Sequence, residues 1–472
     1  MAMADTLLRP FRQAQHWLAA RPRLRMWLRV LRLSLFQFGM GLSLAPLTGT
    51  LNRVLINELG IAAFLVGSLL ALHYFISPAR AIVGFKSDVH RAAGRWRTPY
   101  LVLGAMLTYG GLATAPFSLI LLSGEGYLPF PLAVIVCFAI FFAYGLGVNI
   151  AETIYLAIVS DVTPVEERGR VLSLLWVALV LGTIVGSLLI GELLIDYSHT
   201  RLIQVMQGSA LAFVFLTFLS MLDQERLKPN GELVDFTPVR VRETLGESLR
   251  MLAAQRPLRN LFIVLALATT GFAVHDVLLE PYGGQVLGMS VAETTRLTAV
   301  WGGGMLTAIV LTGWLLWRGH PALRMLGGAS ILGVAGFATI SLANTPDHVG
   351  QFLGGIALIG MGRGMLIVGG LALVMGLCDR SHAGLFLALW GITQALSQGV
   401  GTIAAGLARD IIGRMSGVVA SGYIAVYLSA LLLIAVAGLL LLVLSLRGQL
   451  RAEQVRSPWS SLEQVNADQI IF

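Results

Sequence analysis

Eight side chains could do chemistry because they place charge, an amide or a coordinating nitrogen among apolar neighbours: Arg53, His73, Asn149, Glu152, His275, Asp276, Glu280 and Arg363. A charge at the centre of a membrane-crossing helix costs ~2.5 to 3.5 kcal/mol on insertion scales, so each marks where a partner, a ligand or water must be. Glu152 stands ~13 Å before Asp161 at 1.5 Å per residue, too deep to reach the surface by stretching. Arg363 lies about midway between His348 and Asp379, among Gly360, Gly362 and Gly364, which allow a helix or a ligand to approach its backbone. Glu152 and Arg363 are expected to border one polar cavity, with a static structural ion pair as the plainer reading. His73 and His275 fall near mid-span, where a neutral imidazole is either a hydrogen-bonded packing residue or a ligand, and Asp276 is adjacent to tune His275. Arg80 is expected to snorkel toward the nearer surface. Arg53 closes an uncharged run that begins at Leu33, within reach of Asn57 or Glu58, and so belongs at the outer mouth of the cavity.

The elements that must hold these groups are long apolar helices. Hydrophobic residues make up 56% of the 472, charged residues only 12%, and mean hydropathy is +0.79, against about 25% charged residues in a soluble domain. Backbone polar groups inside lipid must bond within their own segment, and the apolar runs are too long for barrel strands of ~10 residues, so the chain reads as an all-α polytopic membrane protein. Runs bounded by charges or turn residues predict twelve transmembrane helices, near 33–57, 61–84, 99–123, 129–160, 170–196, 202–222, 259–281, 292–317, 322–345, 350–378, 384–408 and 417–446. Residues 1–32 hold seven arginines with Trp17 and Trp27, which suits a basic interfacial or solvated segment. Residues 447–472 form a tail.

Most lysines and arginines then fall on the side of the two termini, which predicts that both termini are cytoplasmic. That one-sided distribution, rather than the net charge of +8, argues against a nucleic-acid partner. Cys137 and Cys378 both lie in spans and give neither a disulfide framework nor metal-site spacing. The connection 223–258, with Pro229, Gly231 and Pro238, divides the chain into six-helix halves, 33–222 and 259–446; Val241, Leu245, Leu249 and Leu252 recur in it at helical spacing. The halves echo each other. Asp161, Leu175-Trp176 and Asp196 reappear at the same Trp-to-Asp interval as Asp379, Leu389-Trp390 and Asp410, the mark of a duplicated transporter fold. No enzyme motif stands up: Gly302-Gly-Gly304 lies inside a hydrophobic helix, without the strand a phosphate loop needs. Gln394 and Gln398, one turn apart, either join a polar seam or bond helix to helix.

The loop Gly84-Phe-Lys-Ser-Asp88 through Arg91, Gly94 and Arg95 resembles the glycine, aspartate and arginine-rich loop between helices two and three of the major facilitator superfamily. The loop Asp161 to Arg168-Gly169-Arg170 also resembles that superfamily, while the C-terminal copies are worn: Asp379-Arg380 remains, and Trp317 to Pro321 retains no acid. The resemblance implies a fold of two pseudo-symmetric six-helix halves, cytoplasmic gating at these loops, and a central cavity lined by helices one, four, seven and ten. Arg53, Asn149, Glu152, His275, Asp276, Glu280 and Arg363 fall on those helices.

At Leu33-Ser-Leu-Phe-Gln37, Gly49-Thr-Leu-Asn-Arg53-Val, Glu58-Leu-Gly60 and Gly84 to Asp88, the chain more narrowly resembles the bacteriochlorophyll delivery family, the PucC-like branch of that superfamily. Helix two, with His73-Tyr74-Phe75 and Ser77-Pro78-Ala79-Arg80, departs from the more apolar version seen in antenna assembly. The resemblance implies a non-enzymatic protein of the photosynthetic membrane that delivers bacteriochlorophyll or a late precursor to assembling light-harvesting or other pigment complexes. Its partners would be light-harvesting subunits or pigment-synthesis enzymes. His73 and His275 would then be possible ligands to the magnesium of a chlorin cargo. Two alternatives stay open: an ion-coupled carrier of a small polar solute, with Glu152 or Asp276 as proton site and Arg363 as anion clamp, and a non-transporting assembly scaffold.

Overall fold

A computed structural model of the chain describes residues 22–89, 97–124, 127–163, 167–222, 224, 256–377, 383–448 and 450. Among the described residues every regular element is helical. The first half holds α1 (Pro22–Ala45, continued by Pro46–Leu51 and Asn52–Asn57), α2 (Ala63–Ile76, Ser77–Ala79 and Arg80–Val89), α3 (Thr98–Thr114, continued to Leu122), α4 (Phe130–Val162), α5 (Arg168–Leu193) and α6 (His199–Met221). The second holds α7 (Arg256–Ala273 and His275–Gln285), α8 (Val291–Trp317), α9 (Ala322–Leu342), α10 (Val349–Leu377), α11 (Ala383–Ser416) and α12 (Val419–Leu446). Ten of these are individually long and apolar enough to cross a membrane. The interrupted α2 and the 34-residue α11 complete twelve. The first helix starts at Pro22, so part of the basic N-terminal segment is helical. The apolar repeat at Val241 to Leu252 lies outside the described residues.

The helix ends follow from local sequence. Ser290 and Glu293 form a reciprocal capping box at the start of α8, and Ser198 accepts the Arg201 amide at the start of α6. Two helices break where they approach each other. In α1, Pro46 opens a π-helical turn, Pro46–Leu51. In α7 the chain bends at Val274, and Pro281 lacks the amide hydrogen that would bond the Val277 carbonyl. Asn52 supplies the missing donor across the gap, its Nδ2 lying 3.0 Å from Val277 O and 3.4 Å from Asp276 O.

The two halves meet through α5 against α8, α2 against α11, and the broken ends of α1 and α7. Glycine sets the closest approaches within the second half. A Cβ at Gly360 would come 2.2 Å from the Trp301 carbonyl, and one at Gly304 would come 2.3 Å from that of Ala357, so α8 and α10 touch backbone to backbone. Much of the outer layer comes from α3, α6, α9 and α12, uncharged beyond their first turns, which present Leu103 and Met106 on α3, Phe215 and Phe218 on α6, Ile331 on α9, and Leu432 and Leu439 on α12. The charged helices α1, α4, α7 and α10 turn their polar residues to the centre.

Candidate functional site

Two adjoining chambers lie between the halves. The first, about 220 Å³, is lined by Leu44, Tyr74, Trp176, His275, Asp276, Glu280, Thr298, Trp301, Arg363, Trp390, Gln394 and Gln398, with aliphatic side chains between them. The second, about 180 Å³, is lined by Gln37, His73, Ser77, Arg80, Asn149 and Glu152 among others. Leu44, Tyr74, Trp176, Leu179, Ala395 and Gln398 line both, so one wall separates them. Along α1 the second chamber lies nearer Pro22 and the first nearer Asn57; the two ends of the molecule are named by those residues below.

In the first chamber the charges are joined by amides rather than in direct pairs. Arg363 Nη2 donates to Gln398 Oε1 (2.7 Å), and Gln398 Nε2 donates to Asp276 Oδ2 (2.8 Å). Tyr74 adds a long hydroxyl contact of 3.5 Å to the same Asp276 oxygen. His275 is fully engaged: Nδ1 meets the Phe272 carbonyl at 2.5 Å, Nε2 lies 3.2 Å from Asp276 Oδ1, and its ring stacks on Trp301 at 4.9 Å. Glu280 accepts the Thr298 hydroxyl at 3.0 Å. Gly49 leaves room for that carboxylate, since a Cβ there would stand 3.2 Å from Glu280 Oε1.

The second chamber contains a direct ion pair. Arg80 bonds Glu152 through Nη2 and Asn149 Oδ1 through Nε (2.7 Å), and is itself only 5% exposed. Asn149 Nδ2 in turn donates to the His73 carbonyl (2.9 Å) and the Gly145 carbonyl (2.7 Å). The expectation that Arg80 snorkels is therefore corrected. The 3₁₀ turn at Ser77–Ala79 re-aims Arg80 inward, and two acceptors on α4 hold it more favourably than a stretched path to the surface. Glu152 and Arg363 do not pair with each other; each keeps its own partner in its own chamber. His73 donates Nδ1–H to the Leu70 carbonyl at 2.7 Å, which leaves Nε2 as its acceptor nitrogen.

Arg53 lines neither chamber. It sits at the Asn57 end, 2.6 Å from Glu58 Oε1 and 3.2 Å from the Met289 carbonyl, and helps tie the halves together. Further bonds between the halves gather at the same end: Asn57 to Pro281 O (3.2 Å), the Phe64 amide to Asp410 (2.9 Å), Thr50 to Thr295 (2.9 Å) and Arg296 to Glu192 (2.7 Å). Of the loop residues at the Pro22 end, Asp161 pairs with Arg97 at 2.7 Å and Arg168 donates to the Ser160 carbonyl at 3.2 Å. Arg170 pairs with Glu167 at 3.2 Å, and the Gly169 carbonyl accepts Ser173. Gly84 and Asp88 lie in the last segment of α2. The Asp88 side chain and Arg91, Gly94, Arg95, Asp379 and Arg380 lie outside what is described.

Sequence reasoning left Tyr74, Trp301 and Thr298 out of the site. Trp176 and Trp390, which the sequence marks as members of the repeat, both line the first chamber. Their equivalent placement in the two halves was the available signal, because a fold duplicated about its own interface puts equivalent residues around one cavity.

The comparisons with known proteins fit this architecture. The family model described as "PUCC protein" matches residues 50–449. The chain belongs to the PUCC family. Protein PucC of Cereibacter sphaeroides is 39% identical over 399 residues, covering 84% of this chain and 86% of that protein. A more distant relative, the bacteriochlorophyll synthase 44.5 kDa chain of Rhodobacter capsulatus, is 28% identical over 82% of this chain and 88% of that protein. Among solved structures, a bacterial homologue of the lysosomal transporter Spinster, in an inward-facing and unoccupied conformation, superposes with a TM-score of 0.65 at 14% identity, over 91% of this chain and 98% of that one. This PUCC chain therefore has the major facilitator fold, and it is a multi-pass membrane protein.

Proposed function

We propose that this chain binds bacteriochlorophyll or a late precursor between its halves and hands it to assembling light-harvesting or other pigment–protein complexes, as a carrier protein rather than an enzyme. The observation that carries the reading is the pair of adjoining chambers, polar groups set in apolar walls, between the halves of a PUCC-family chain. The similarity to a bacteriochlorophyll synthase chain supports the same pigment chemistry. The bias of lysine and arginine toward the Pro22 end supports a cytoplasmic placement of that end in the photosynthetic inner membrane. Chlorin is cargo in this reading, and His73 Nε2 is the nitrogen free to ligate its magnesium. Purifying the full chain in mild detergent from a pigment-making cell tests it. A chlorin absorbance band should co-elute at fixed ratio to protein; a colourless protein overturns the reading.

A second reading, an ion-coupled carrier of a small polar solute, is favoured by Glu280. That carboxylate is 5% exposed and bonded to a hydroxyl rather than a cation among the described residues. It requires a colourless protein that moves protons with a solute into sealed vesicles.

A further inference from the structure

The first chamber contains donors that the described protein does not satisfy. Arg363 gives Nη2 to Gln398, but its Nη1 is buried with no partner. Gln394 Oε1 accepts the Thr269 hydroxyl at 2.9 Å, which turns its Nε2 away from Thr269, and that nitrogen too is buried and unbonded. Trp301 Nε1 is the third. Arg363 and Gln394 are 6% and 5% exposed, and all three residues line the same chamber. A buried donor without an acceptor costs ~1–3 kcal/mol, more for a charged one, so three around one space call for an acceptor there. The acidic groups nearby do not reach these three donors: Asp276 accepts Gln398, and Glu280 accepts Thr298. The remaining wall is apolar, with Leu44, Leu179, Met305 and Ile367.

We propose that this chamber seats a carboxylate carried on a largely apolar molecule, with Arg363 Nη1 as the charged donor and Gln394 Nε2 and Trp301 Nε1 as neutral ones. The bare Nη1 of a charged guanidinium favours an anionic acceptor, and because Asp276 and Glu280 share the chamber with that one lining guanidinium, each further negative charge is repelled, which disfavours a phosphate dianion more than a carboxylate. The size fits an acid arm rather than a whole pigment, since about 220 Å³ is below the ~300–1,000 Å³ of drug-sized ligand pockets. Resting on the pigment reading above, the source is the free acid of a chlorin that has not been esterified. A fatty acid presents the same chemistry without the macrocycle.

The test uses the full chain in nanodiscs of zwitterionic lipid and equilibrium dialysis against three probes: a chlorin free acid, its methyl ester and myristate. The free acid should bind at least ~10-fold more tightly than the ester, the worth of one charge-assisted bond. Arg363→Gln should remove that preference, bringing the affinity for the acid down to or below that for the ester. Trp301→Phe, which keeps a ring on His275, and Gln394→Leu should each reduce the preference several-fold, so the test stands even if the Arg363 variant fails to fold. Equal binding of acid and ester by the wild type, or equal loss of both in the Arg363 variant, overturns the carboxylate seat but leaves the pigment reading standing. Myristate binding that depends on Arg363, with neither chlorin bound, upholds the seat and overturns the pigment reading. No binding of any probe overturns both.

Discussion

Arg80 and Glu152 offer the sharpest test of how charge is held inside this fold. Replacing Glu152 by leucine removes the carboxylate and leaves Arg80, 5% exposed, with Asn149 Oδ1 as its remaining acceptor. Replacing Arg80 by methionine strands the carboxylate of Glu152, whose side chain is 16% exposed. Breaking a buried pair from one side costs ~3–5 kcal/mol, because the surviving charge is left uncompensated, whereas replacing both members with apolar groups of similar volume is often neutral. The double variant Arg80→Met with Glu152→Leu should therefore recover most of what either single variant loses. At ~2 °C per kcal/mol for a long chain, each single variant should melt ~6–10 °C lower, with the double within a few degrees of the wild type. The assay is thermal unfolding of purified protein followed by loss of the monodisperse peak on size exclusion. If the double variant loses the sum of the two singles, the residues are not coupled, Arg80 finds water on its own, and the account of the second chamber is wrong.

Other expectations follow from the same geometry. Gly360→Ala should cost ~1–3 kcal/mol by forcing α8 away from α10, whereas Gly350→Ala, whose Cβ would meet nothing within 4 Å, should be neutral or slightly stabilising in the same melting assay. Asn52→Leu removes the donor to the Val277 carbonyl, at ~1–3 kcal/mol for a buried acceptor left bare. It should weaken the seal at the Asn57 end, read as faster maleimide labelling of a cysteine placed at Gln285. In a pigment-making host His73→Ala should lower bound pigment at unchanged protein yield, while His275→Ala should leave it unchanged, since both nitrogens of His275 already have partners. Glu152→Ala and Arg363→Ala should each reduce accumulation of pigment–protein complexes with the protein still in the membrane; normal complex levels in both would remove these residues from the mechanism.

The fold was legible because hydropathy and the cost of buried charge act over whole helices. Beyond their first turns α3, α6, α9 and α12 are uncharged and supply much of the outer layer, while polar residues of α1, α4, α7 and α10 line the two chambers, as one-dimensional sorting can reveal. What could not be read is side-chain partnership. Arg80 looked free to reach the surface because sequence distance to the helix end was visible and the 3₁₀ turn at Ser77–Ala79 was not. Depth along two helices does not say whether Glu152 and Arg363 meet, and each has a nearer partner, Arg80 and Gln398. Tyr74 and Trp301 carried no signal of their own, being ordinary aromatic residues in apolar helices until the fold brings them to the chamber wall. Gly49, read as a sequence marker, has a concrete use in the structure: it makes room for Glu280 across the interface between the halves.

The wall between the chambers has a mechanical consequence for either functional reading. Gln398 is bonded on one side to Arg363 and on the other to Asp276, and together with Tyr74 it lines both spaces. Arg363 and Gln398 belong to α10 and α11 and Asp276 to α7, all in the second half, whereas Tyr74 and the Arg80–Glu152 pair belong to the first. The polar network of the first chamber can thus move as one body with the second half, and that of the second chamber with the first half. The Tyr74 contact to Asp276, at 3.5 Å, is the weak bond between them. Separation of the halves at mid-depth breaks that contact and apolar packing while leaving the Arg80–Glu152 pair and the Arg363–Gln398–Asp276 chain each within its own half. A bulky apolar cargo could enter there without stranding a charge in lipid, and the strong bonds between the halves are gathered instead at the Asn57 end, where Arg53, Asn52 and Asp410 hold them together.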